Sequence, residues 1–329
     1  MSEVTAKTLY PAKLTERSKV AIIGAGAVGA TLAYACVIAG HASEVVLYDI
    51  NKAKVEAEAL DIAHGIQFTP MGSVSGSDDI EICRDADVVV ITAGAKQKPG
   101  QTRLDLAGAT VSLMEKIIPS VLEVAPNAIY ILVTNPVDVV TYASLKISGL
   151  PPSRMFGSGT VLDTARLRYL VSRETGTAVQ NIHAYVTGEH GDSEVPLWSC
   201  AEIGNVPLRH WGETLSGRQF DEALRNEIHH EVVDSAYKII EGKGATNYAV
   251  GLAVSRIIGA VLRDENRVLT ISTLLNDWEG ISDVCLAAPT IVGRAGAGRV
   301  LTPAISLAER EGLTQSANRL RSVARDLGY

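Results

Sequence analysis

Residues 24–29 read GAGAVG, a Gly-x-Gly-x-x-Gly stretch that decides the fold. It follows the short β-branched run Lys19–Ile23 and opens the apolar, helix-like stretch Ala27–Ala39. In that position the first glycine permits a tight turn, the second lets a pyrophosphate approach the backbone, and the third allows close packing of helix on strand. The stretch alone is weak evidence, because glycine turns between strands and helices are common, so its surroundings have to support it.

An acidic residue supplies that support. Asp49 ends the next strand-like run, Glu44–Tyr48, 20 residues after Gly29. A carboxylate at this place can accept hydrogen bonds from an adenosine ribose, and it repels a 2′-phosphate, which favours NAD over NADP. We therefore predict that NAD is bound by Gly24, Gly26, Gly29 and Asp49.

The chain up to residue 150 alternates strand-like and helix-like segments. Residues 87–92 (DVVVIT) and 129–134 (IYILVT) are continuous apolar runs, which are typical of strands buried on both faces. Strand, helix and strand in repetition predict a doubly wound parallel sheet, the Rossmann architecture. We therefore predict an α/β protein in which residues 19–150 form the dinucleotide-binding domain.

The character of the sequence changes after Pro151-Pro152. Longer helices, and strand-like runs joined by turn-rich segments, predict a second, α+β domain over residues 151–329. Thr302 is expected to cap the last helix, with Pro303 at its first position. The polar residues 1–18 are expected to form a short flexible arm.

The composition is that of an ordinary globular protein. Of 329 residues, 47% are apolar and 20% charged, and 30 basic against 37 acidic residues give a net charge of −7. This balance argues against a nucleic-acid partner, and no stretch reaches the ~18 apolar residues that a membrane span requires. The cysteines are widely spaced and lack a Cys-x-x-Cys pair, so we expect buried free thiols, a cytoplasmic location and no metal site. They are Cys36, Cys83, Cys200 and Cys285.

A histidine between two glycines is the first candidate catalytic residue. Residues 188–193 read GEHGDS and place His190 just after a single strand-like run, His183 to Val186. Hydride transfer between a 2-oxo acid and its alcohol needs a proton donor at the carbonyl oxygen, and the histidine pKa lies near the working pH. A lone histidine is about as often a structural group as a catalytic one, so the assignment of His190 needs further support.

Residues 161–166, VLDTAR, give that support. Asp163 and Arg166 are three residues apart and would share one face of a helix. A carboxylate beside an imidazole fixes its tautomer and raises its pKa, and an arginine fork matches a substrate carboxylate. An ordinary surface ion pair has the same spacing, so both interpretations stay open.

A long loop and a strand end supply further candidates. Residues 94–105, GAKQKPGQTRLD, are long for a connection between strand and helix, and such loops are often lids. Closure would carry Arg103 inward, where its charge could polarise a carbonyl; a solvated basic loop is the alternative. Asn135 follows a strand-like run where ligands of parallel sheets gather, and its amide can bond the substrate or the nicotinamide.

Taken together, these stretches resemble the L-lactate dehydrogenases of the lactate/malate dehydrogenase family. The specific segments are residues 97–106 (QKPGQTRLDL), 163–168 (DTARLR) and 188–194 (GEHGDSE), and the resemblance covers the chain from about residue 19 to the end. It implies NAD-dependent interconversion of pyruvate and L-lactate, a reaction of glycolysis and fermentation.

The resemblance also implies residue roles. His190 would be the proton donor and acceptor, Asp163 its orienting carboxylate, and Arg166 the clamp on the substrate carboxylate. Arg103 would polarise the carbonyl. Further residues implied at the substrate or the cofactor are Val28, Gly94, Asn135, Thr246 and Val250.

Gln97 is the residue on which substrate choice depends. In this family the lactate enzymes carry glutamine at that loop position, whereas the malate enzymes carry an arginine that pairs with the second carboxylate. A neutral side chain leaves oxaloacetate with an unpaired charge, which costs several kcal/mol when buried. The neighbouring Lys96 and Lys98 could supply positive charge if the loop shifted, although both are expected to face solvent.

A second implication of the resemblance concerns regulation. Arg168 and His183 match the positions at which the fructose-1,6-bisphosphate-activated bacterial enzymes bind the effector phosphates across a subunit interface. Both side chains are chemically suited to phosphate. The resemblance therefore implies an allosteric homotetramer, with ordinary surface contacts as the alternative for both residues.

Rival functions remain at this point. A malate dehydrogenase is disfavoured by Gln97, and a branched 2-hydroxyacid dehydrogenase would need a roomier pocket. A non-catalytic NAD-binding regulator would tolerate loss of His190, Asp163 or the arginines, yet the sequence retains all of them.

Overall fold

The computed structural model describes residues 18–70, 72–95 and 103–329, with side chains in the last range from Asp105 onward. Within this part of the chain the principal sheet has eleven strands, and a second sheet has three. Among the described residues, ten α-helices and β-strands precede residue 160. They are β1 (Lys19–Ile23), α1 (Ala27–Ala39), β2 (Glu44–Tyr48), α2 (Lys52–His64), β3 (Ser73–Ser77), β4 (Val88–Ile91), α3 (Arg103–Val124), β5 (Ile129–Leu132), α4 (Val137–Ser148) and β6 (Met155–Gly157).

These first six strands form the parallel part of the sheet, in the order β3-β2-β1-β4-β5-β6. Alternate side chains of each central strand enter opposite cores. Val88 and Val90 pack into a core with α1, α2 and a later helix, α7 (Tyr248–Leu262), whereas Val89 and Ile91 pack into a core with α3 and α4. Because both faces are covered, the strands read as continuous apolar runs. The predicted Rossmann architecture is confirmed.

The second part of the chain continues the same sheet with antiparallel strands. Its elements are α5 (Val161–Thr175), β7 (Ile182–His183), β8 (Val186–Gly188), β9 (Glu194–Pro196), β10 (Glu202–Ile203), β11 (Val206–Pro207), α6 (Glu222–Lys243), α7 (Tyr248–Leu262), β12 (Arg267–Leu274), β13 (Cys285–Gly293), β14 (Gly296–Val300) and α8 (Leu307–Asp326). β6 pairs with β12 at Gly157 and Ser272, and the order continues β12-β13-β8-β9, with β14 on β13. The domain division at residues 150 and 151 stays a prediction; β6 adds to the parallel strands beyond it.

Two local predictions were wrong. The run from His183 to Val186 is not one strand: β7 belongs to the small sheet and β8 to the large one. Cys200 is partly exposed rather than buried, although all four cysteines are free.

The start of the last helix also differs from the prediction. Thr302 does not cap it, since α8 begins at Leu307 with Ser306 as the N-cap. The Ser306 hydroxyl accepts from the Glu309 backbone N–H at 3.2 Å, and the Glu309 carboxylate accepts from the Ser306 backbone N–H at 2.7 Å. This capping box satisfies two otherwise orphaned donors, which outweighs the preference of proline for a first helical position.

No helix in the described part of the chain combines the length and the apolar character that crossing a membrane requires.

The capping box gives a test of the helix boundary. Ser306→Ala should lower the free energy of unfolding by about 1 kcal/mol, because a helix N-terminal N–H loses its acceptor. Thr302→Ala, at an exposed position outside the helix, should change it by less than about 0.5 kcal/mol. Urea-induced unfolding measures both values, and a larger loss for Thr302→Ala would place the helix start where the sequence predicted it.

Candidate active site

The glycine turn between β1 and α1 has the geometry that a dinucleotide requires. Gly24 has φ +104°, and a Cβ there would lie 2.8 Å from the Ala93 backbone nitrogen. A Cβ on Gly29 would lie 1.9 Å from the Gly24 carbonyl oxygen, so only glycine allows helix and strand to approach this closely. At Gly26, by contrast, a Cβ would meet none of the described atoms within 4 Å. The described part of the chain thus leaves the backbone at Gly26 accessible to a pyrophosphate.

The N-terminus of α1 is suited to an anion. Its N-cap, Gly26, offers no side chain to the first N–H groups, and the first turn contains no acidic residue. Exposed N–H donors and the helix dipole both favour a phosphate at such a terminus. The residues present thus fit the pyrophosphate of a dinucleotide.

Asp49 lies beside this turn and braces it. One carboxylate oxygen accepts from the Ala25 backbone N–H at 2.8 Å, and the other accepts from the Asn51 backbone N–H at 2.9 Å. The side chain is half-buried, and each oxygen retains a second lone pair for a ribose hydroxyl. The carboxylate can therefore hold the turn and accept from a ligand together.

Two more predicted residues follow neighbouring strands at the same edge of the sheet. Gly94 follows β4, where a Cβ would lie 2.3 Å from the Thr134 Cγ2 atom. Asn135 follows β5 with its side chain exposed, and its oxygen accepts from the Val137 N–H at 3.3 Å. The carboxyl ends of β1, β4 and β5 thus bring these residues to the edge at which the glycine turn lies.

The predicted catalytic residues lie together. His190 follows β8 and lies with its Nδ1 atom 2.6 Å from Oδ2 of Asp163 on α5. The other oxygen of that carboxylate accepts from the Arg166 guanidinium at 2.8 Å. The Asp163 side chain is only 3% exposed, whereas that of His190 is 25% exposed. Asp163 and Arg166 are therefore more than a surface ion pair, because the carboxylate joins the arginine to the imidazole.

This carboxylate controls the charge of the imidazole. Burial lowers the pKa of His190, but the adjacent Asp163 more than offsets it, and the pKa is raised to about 9. In return, the pKa of Asp163 is lowered despite its burial, because His190 and Arg166 both stabilise the carboxylate. At neutral pH the pair is thus an imidazolium on a carboxylate, with Nδ1 donating to Oδ2 and Nε2 left to face a substrate.

Asp138 is a contributor that the sequence reasoning missed. It is buried in the first turn of α4, where Oδ2 accepts from the His190 backbone N–H at 2.8 Å and Oδ1 accepts from the Ser272 hydroxyl. Burial raises its pKa to about 6, although both hydrogen bonds oppose the shift. Asp138 fixes the backbone that carries the imidazole. Its place three residues after Asn135 was the one available signal in the sequence.

The structure describes some of the remaining predicted site residues but not all of them. The Thr246 hydroxyl oxygen is enclosed and has no hydrogen-bond partner among the described residues, which suits a group that awaits a ligand. Val250 on α7 is half-buried against the core beside α1, and Val28 is half-buried in α1. Gln97, with Lys96 and Lys98, lies outside the described residues, as does the Arg103 side chain.

The two predicted effector residues lie on one surface region. The Nε atom of Arg168 donates to the Ala184 carbonyl oxygen at 2.9 Å, and its guanidinium stacks 5.4 Å from the centre of the Tyr185 ring. His183, the residue before Ala184, is exposed at the end of β7. The contact thus places Arg168 beside the segment that carries His183.

Comparison with known proteins gives the same family for both parts of the chain. Residues 18–157 match the lactate/malate dehydrogenase NAD binding domain, and residues 160–327 match the lactate/malate dehydrogenase alpha/beta C-terminal domain. An L-lactate dehydrogenase of Bifidobacterium animalis subsp. lactis is 56% identical over 312 residues, which cover 95% of this chain and 98% of that protein. An L-lactate dehydrogenase of a Synechococcus species is 45% identical over 305 residues, which cover 93% of this chain and 98% of that protein.

Solved structures agree. A lactate dehydrogenase from a Medee basin deep-sea metagenome library superposes with a TM-score of 0.91 at 39% identity, covering 95% of this chain and 99% of that one. The minor L-lactate dehydrogenase of Enterococcus mundtii superposes with a TM-score of 0.90 at 37% identity, covering 94% and 98% of the two chains. The glycine turn thus lies in a region that matches an NAD binding domain.

Replacing the acidic residue at the turn tests the cofactor site. Asp49→Asn should weaken NADH binding by about 10-fold or more and narrow the preference for NADH over NADPH, because a charged acceptor contributes about 1.5–3 kcal/mol. Asp61→Asn, at an exposed position on α2, is the matched control and should leave both unchanged. Fluorescence titration with each cofactor measures the effect; equal affinities in Asp49→Asn and the parent protein would remove Asp49 from the cofactor site.

Proposed function

The chain belongs to the lactate/malate dehydrogenase family, and on that premise we propose that His190, Asp163 and Arg166 carry out its chemistry. The activity is that of an NAD-dependent L-lactate dehydrogenase, which interconverts pyruvate with NADH and L-lactate with NAD. The observation that supports the residue roles most directly is the single buried carboxylate shared by an imidazole and a guanidinium.

The cofactor would be held along the edge of the parallel sheet. Gly24, Gly26 and Gly29 would hold the pyrophosphate with the N-terminus of α1, and Asp49 would accept from the ribose. The nicotinamide side would be lined by Val28, Gly94, Asn135 and Val250. When bound, NADH supplies the hydride that reduces the carbonyl carbon of pyruvate.

Arg166 would orient the substrate. Its guanidinium carries five N–H donors in a planar fork, and one of them is used on Asp163. The remaining donors suit a two-point bond to the pyruvate carboxylate, which fixes the substrate in one orientation. Because the side chain is only 13% exposed, that bond would form largely out of water and would be correspondingly strong.

His190 would transfer the proton. Asp163 holds its Nδ1 atom, so Nε2 can donate to the carbonyl oxygen while the hydride arrives, and it takes the proton back in lactate oxidation. Asp163 also stabilises the imidazolium, and Asp138 holds the backbone N–H of the same residue. The proton donor is thus positioned from both its ring and its main chain.

Three further assignments belong to the proposal on the strength of the resemblance. Arg103 would polarise the carbonyl when the loop over residues 94–105 closes, and Gln97 would select pyruvate over oxaloacetate. Thr246 would line the substrate; its enclosed hydroxyl oxygen, which has no hydrogen-bond partner among the described residues, supports that assignment.

The pH dependence tests the role of His190. Pyruvate reduction needs the imidazolium, so kcat/KM should be level below pH 9 and should fall about tenfold per pH unit above it. Lactate oxidation needs the neutral ring and should instead rise as the pH approaches 9. Asp163→Asn removes the charge that offsets burial, so the alkaline fall in reduction should move to lower pH.

Two variants complete this test, read by steady-state kinetics and NADH titration. His190→Asn should abolish turnover while NADH still binds, since its ring does not hold the cofactor. Retained turnover in His190→Asn, or an unshifted profile in Asp163→Asn, would refute the assignment.

We further propose a cytoplasmic homotetramer that binds fructose-1,6-bisphosphate through Arg168 and His183. The Arg168 side chain is held by the Ala184 carbonyl and the Tyr185 ring, so its position is fixed before any ligand arrives. Its pKa is lowered by burial and by the nearby positive charge of Arg267. A phosphate would relieve that like-charge repulsion. By preferring the arrangement in which Arg166 is correctly placed, the bisphosphate would activate through a population shift.

Substrate choice and activation can be tested in one experiment. NADH oxidation should be much faster with pyruvate than with oxaloacetate, and fructose-1,6-bisphosphate should lower the pyruvate KM. Arg168→Gln and His183→Gln should each lose that lowering, while Arg299→Gln, at an exposed position, should keep it. A parent protein without any response would remove the effector site, and faster turnover of oxaloacetate would overturn the role of Gln97.

A further inference from the structure

A third buried acid, besides Asp163 and Asp138, lies close to the proposed catalytic residues. Glu194 begins β9, opposite Gly188 in the β8–β9 ladder, and is 4% exposed. Its Oε1 atom is enclosed and has no hydrogen-bond partner among the described residues. The facing group is the ring of His229 on α6, whose Nε2 atom lies 3.9 Å away and is likewise enclosed and unpartnered. Two complementary polar atoms thus face each other behind the active site.

The charges around Glu194 come from three directions. On α5 are Asp163 and Arg166, and on the turn after β8 are His190 and Asp192. On α6, His229 faces the acid, and the exposed His230 stacks on His229 with ring centres 6.4 Å apart. Among these groups, the imidazolium and the guanidinium favour an ionised Glu194, whereas burial and the two aspartates oppose it.

The effects that oppose ionisation of Glu194 are stronger than those that favour it. A buried carboxylate with an unbonded oxygen is strongly disfavoured, so the acid form is favoured on geometric grounds alone. Burial first, and then Asp163, raise the pKa of Glu194 to about 9. Burial, followed by the positive charge of His230, lowers the pKa of His229, although a hydrogen bond to the Glu194 backbone opposes this shift. At neutral pH the carboxylic acid of Glu194 can therefore donate a hydrogen bond through its O–H, and the neutral imidazole of His229 can accept that bond through a ring nitrogen.

We propose that Glu194 and His229 form a neutral acid–imidazole pair, with the carboxylic O–H donating to Nε2, and that this pair keeps a further negative charge away from the substrate site. The inference rests on the proposed function. With Glu194 neutral, the surroundings of Arg166 and His190 are one unit more positive than they would be with Glu194 ionised, which favours an anionic 2-oxo acid. An ionised Glu194 would weaken the binding of that substrate.

Both members of the pair are positioning residues, since they act through their neighbours. His229 lies on α6, and the same helix contacts the catalytic turn a second time, where the Tyr237 hydroxyl donates to Asp192 at 2.8 Å. The pair and this hydrogen bond thus both connect α6 to residues 188–194, the segment that carries His190.

Infrared difference spectroscopy tests the protonation directly. Glu194→Gln keeps the shape of the side chain, so the difference between parent protein and variant isolates this one group. At pH 7 the parent protein should show the carbonyl band of a protonated carboxylic acid, and the variant should lack it. His229→Leu should shift the band, because the O–H loses its acceptor. A carboxylate signal alone would overturn the proposal.

Kinetics tests the consequence for substrate binding. Without an acceptor the acid ionises more readily, so His229→Leu should raise the pyruvate KM at pH 8 by about 10-fold, with kcat at saturation changed by less than about 2-fold. In a Glu194→Gln background the same substitution should change KM by less than about 2-fold, because nothing is left to ionise. His229→Gln, whose side-chain oxygen can accept a hydrogen bond from the carboxylic O–H, should restore a KM near that of the parent protein. His210→Leu, at an exposed position, is the matched control.

The infrared and kinetic experiments together distinguish failure of the proposed pair from failure of the proposed function. An infrared band of the acid together with an unchanged KM in His229→Leu would mean that the pair forms without serving the substrate, which overturns the proposal. If the protein turned over no 2-oxo acid, the proposed function would fail, and the infrared arm would still decide whether the pair exists.

Discussion

The hydrogen bond between Asp163 and His190 is the interaction on which the rest of the site depends. At 2.6 Å and with the carboxylate almost fully buried, it keeps the imidazole charged at a pH where burial alone would discharge it. The same carboxylate holds Arg166. One acid thus sets the charge of the imidazole and the orientation of the guanidinium, the two groups proposed as proton donor and substrate clamp, and both effects would be lost with it.

The fold makes this interaction possible by bringing distant segments together. Asp163 lies on the helix that follows β6, and His190 follows β8, 27 residues later. In the sheet, the antiparallel strands β12 and β13 lie between β6 and β8. This order places β8 near the start of α5. The hydroxyl of Thr160, the N-cap of α5, donates to the Val186 carbonyl oxygen at 2.5 Å, which fixes the helix against that strand.

Much of this could be predicted from the sequence, because the relevant signals are local. The glycine turn, the continuous apolar runs such as residues 87–92, and the helix face shared by Asp163 and Arg166 can each be identified from residues that are close together in the sequence. The bond from the His190 backbone N–H to Asp138 spans 52 residues and leaves no periodic trace. The buried pairing of Glu194 with His229 likewise depends on packing that spacing does not encode, and Thr302 failed as a cap because Ser306 has a better partner in Glu309.

The meeting of β6 with both β5 and β12 has a mechanical consequence. Because this strand pairs on both sides, the parallel and antiparallel parts of the chain share one continuous sheet. A rotation of one part against the other would have to break the pairing of Gly157 with Ser272. We therefore expect movement that admits a substrate to occur in the segments at the edges of the sheet, while the sheet itself acts as a rigid frame.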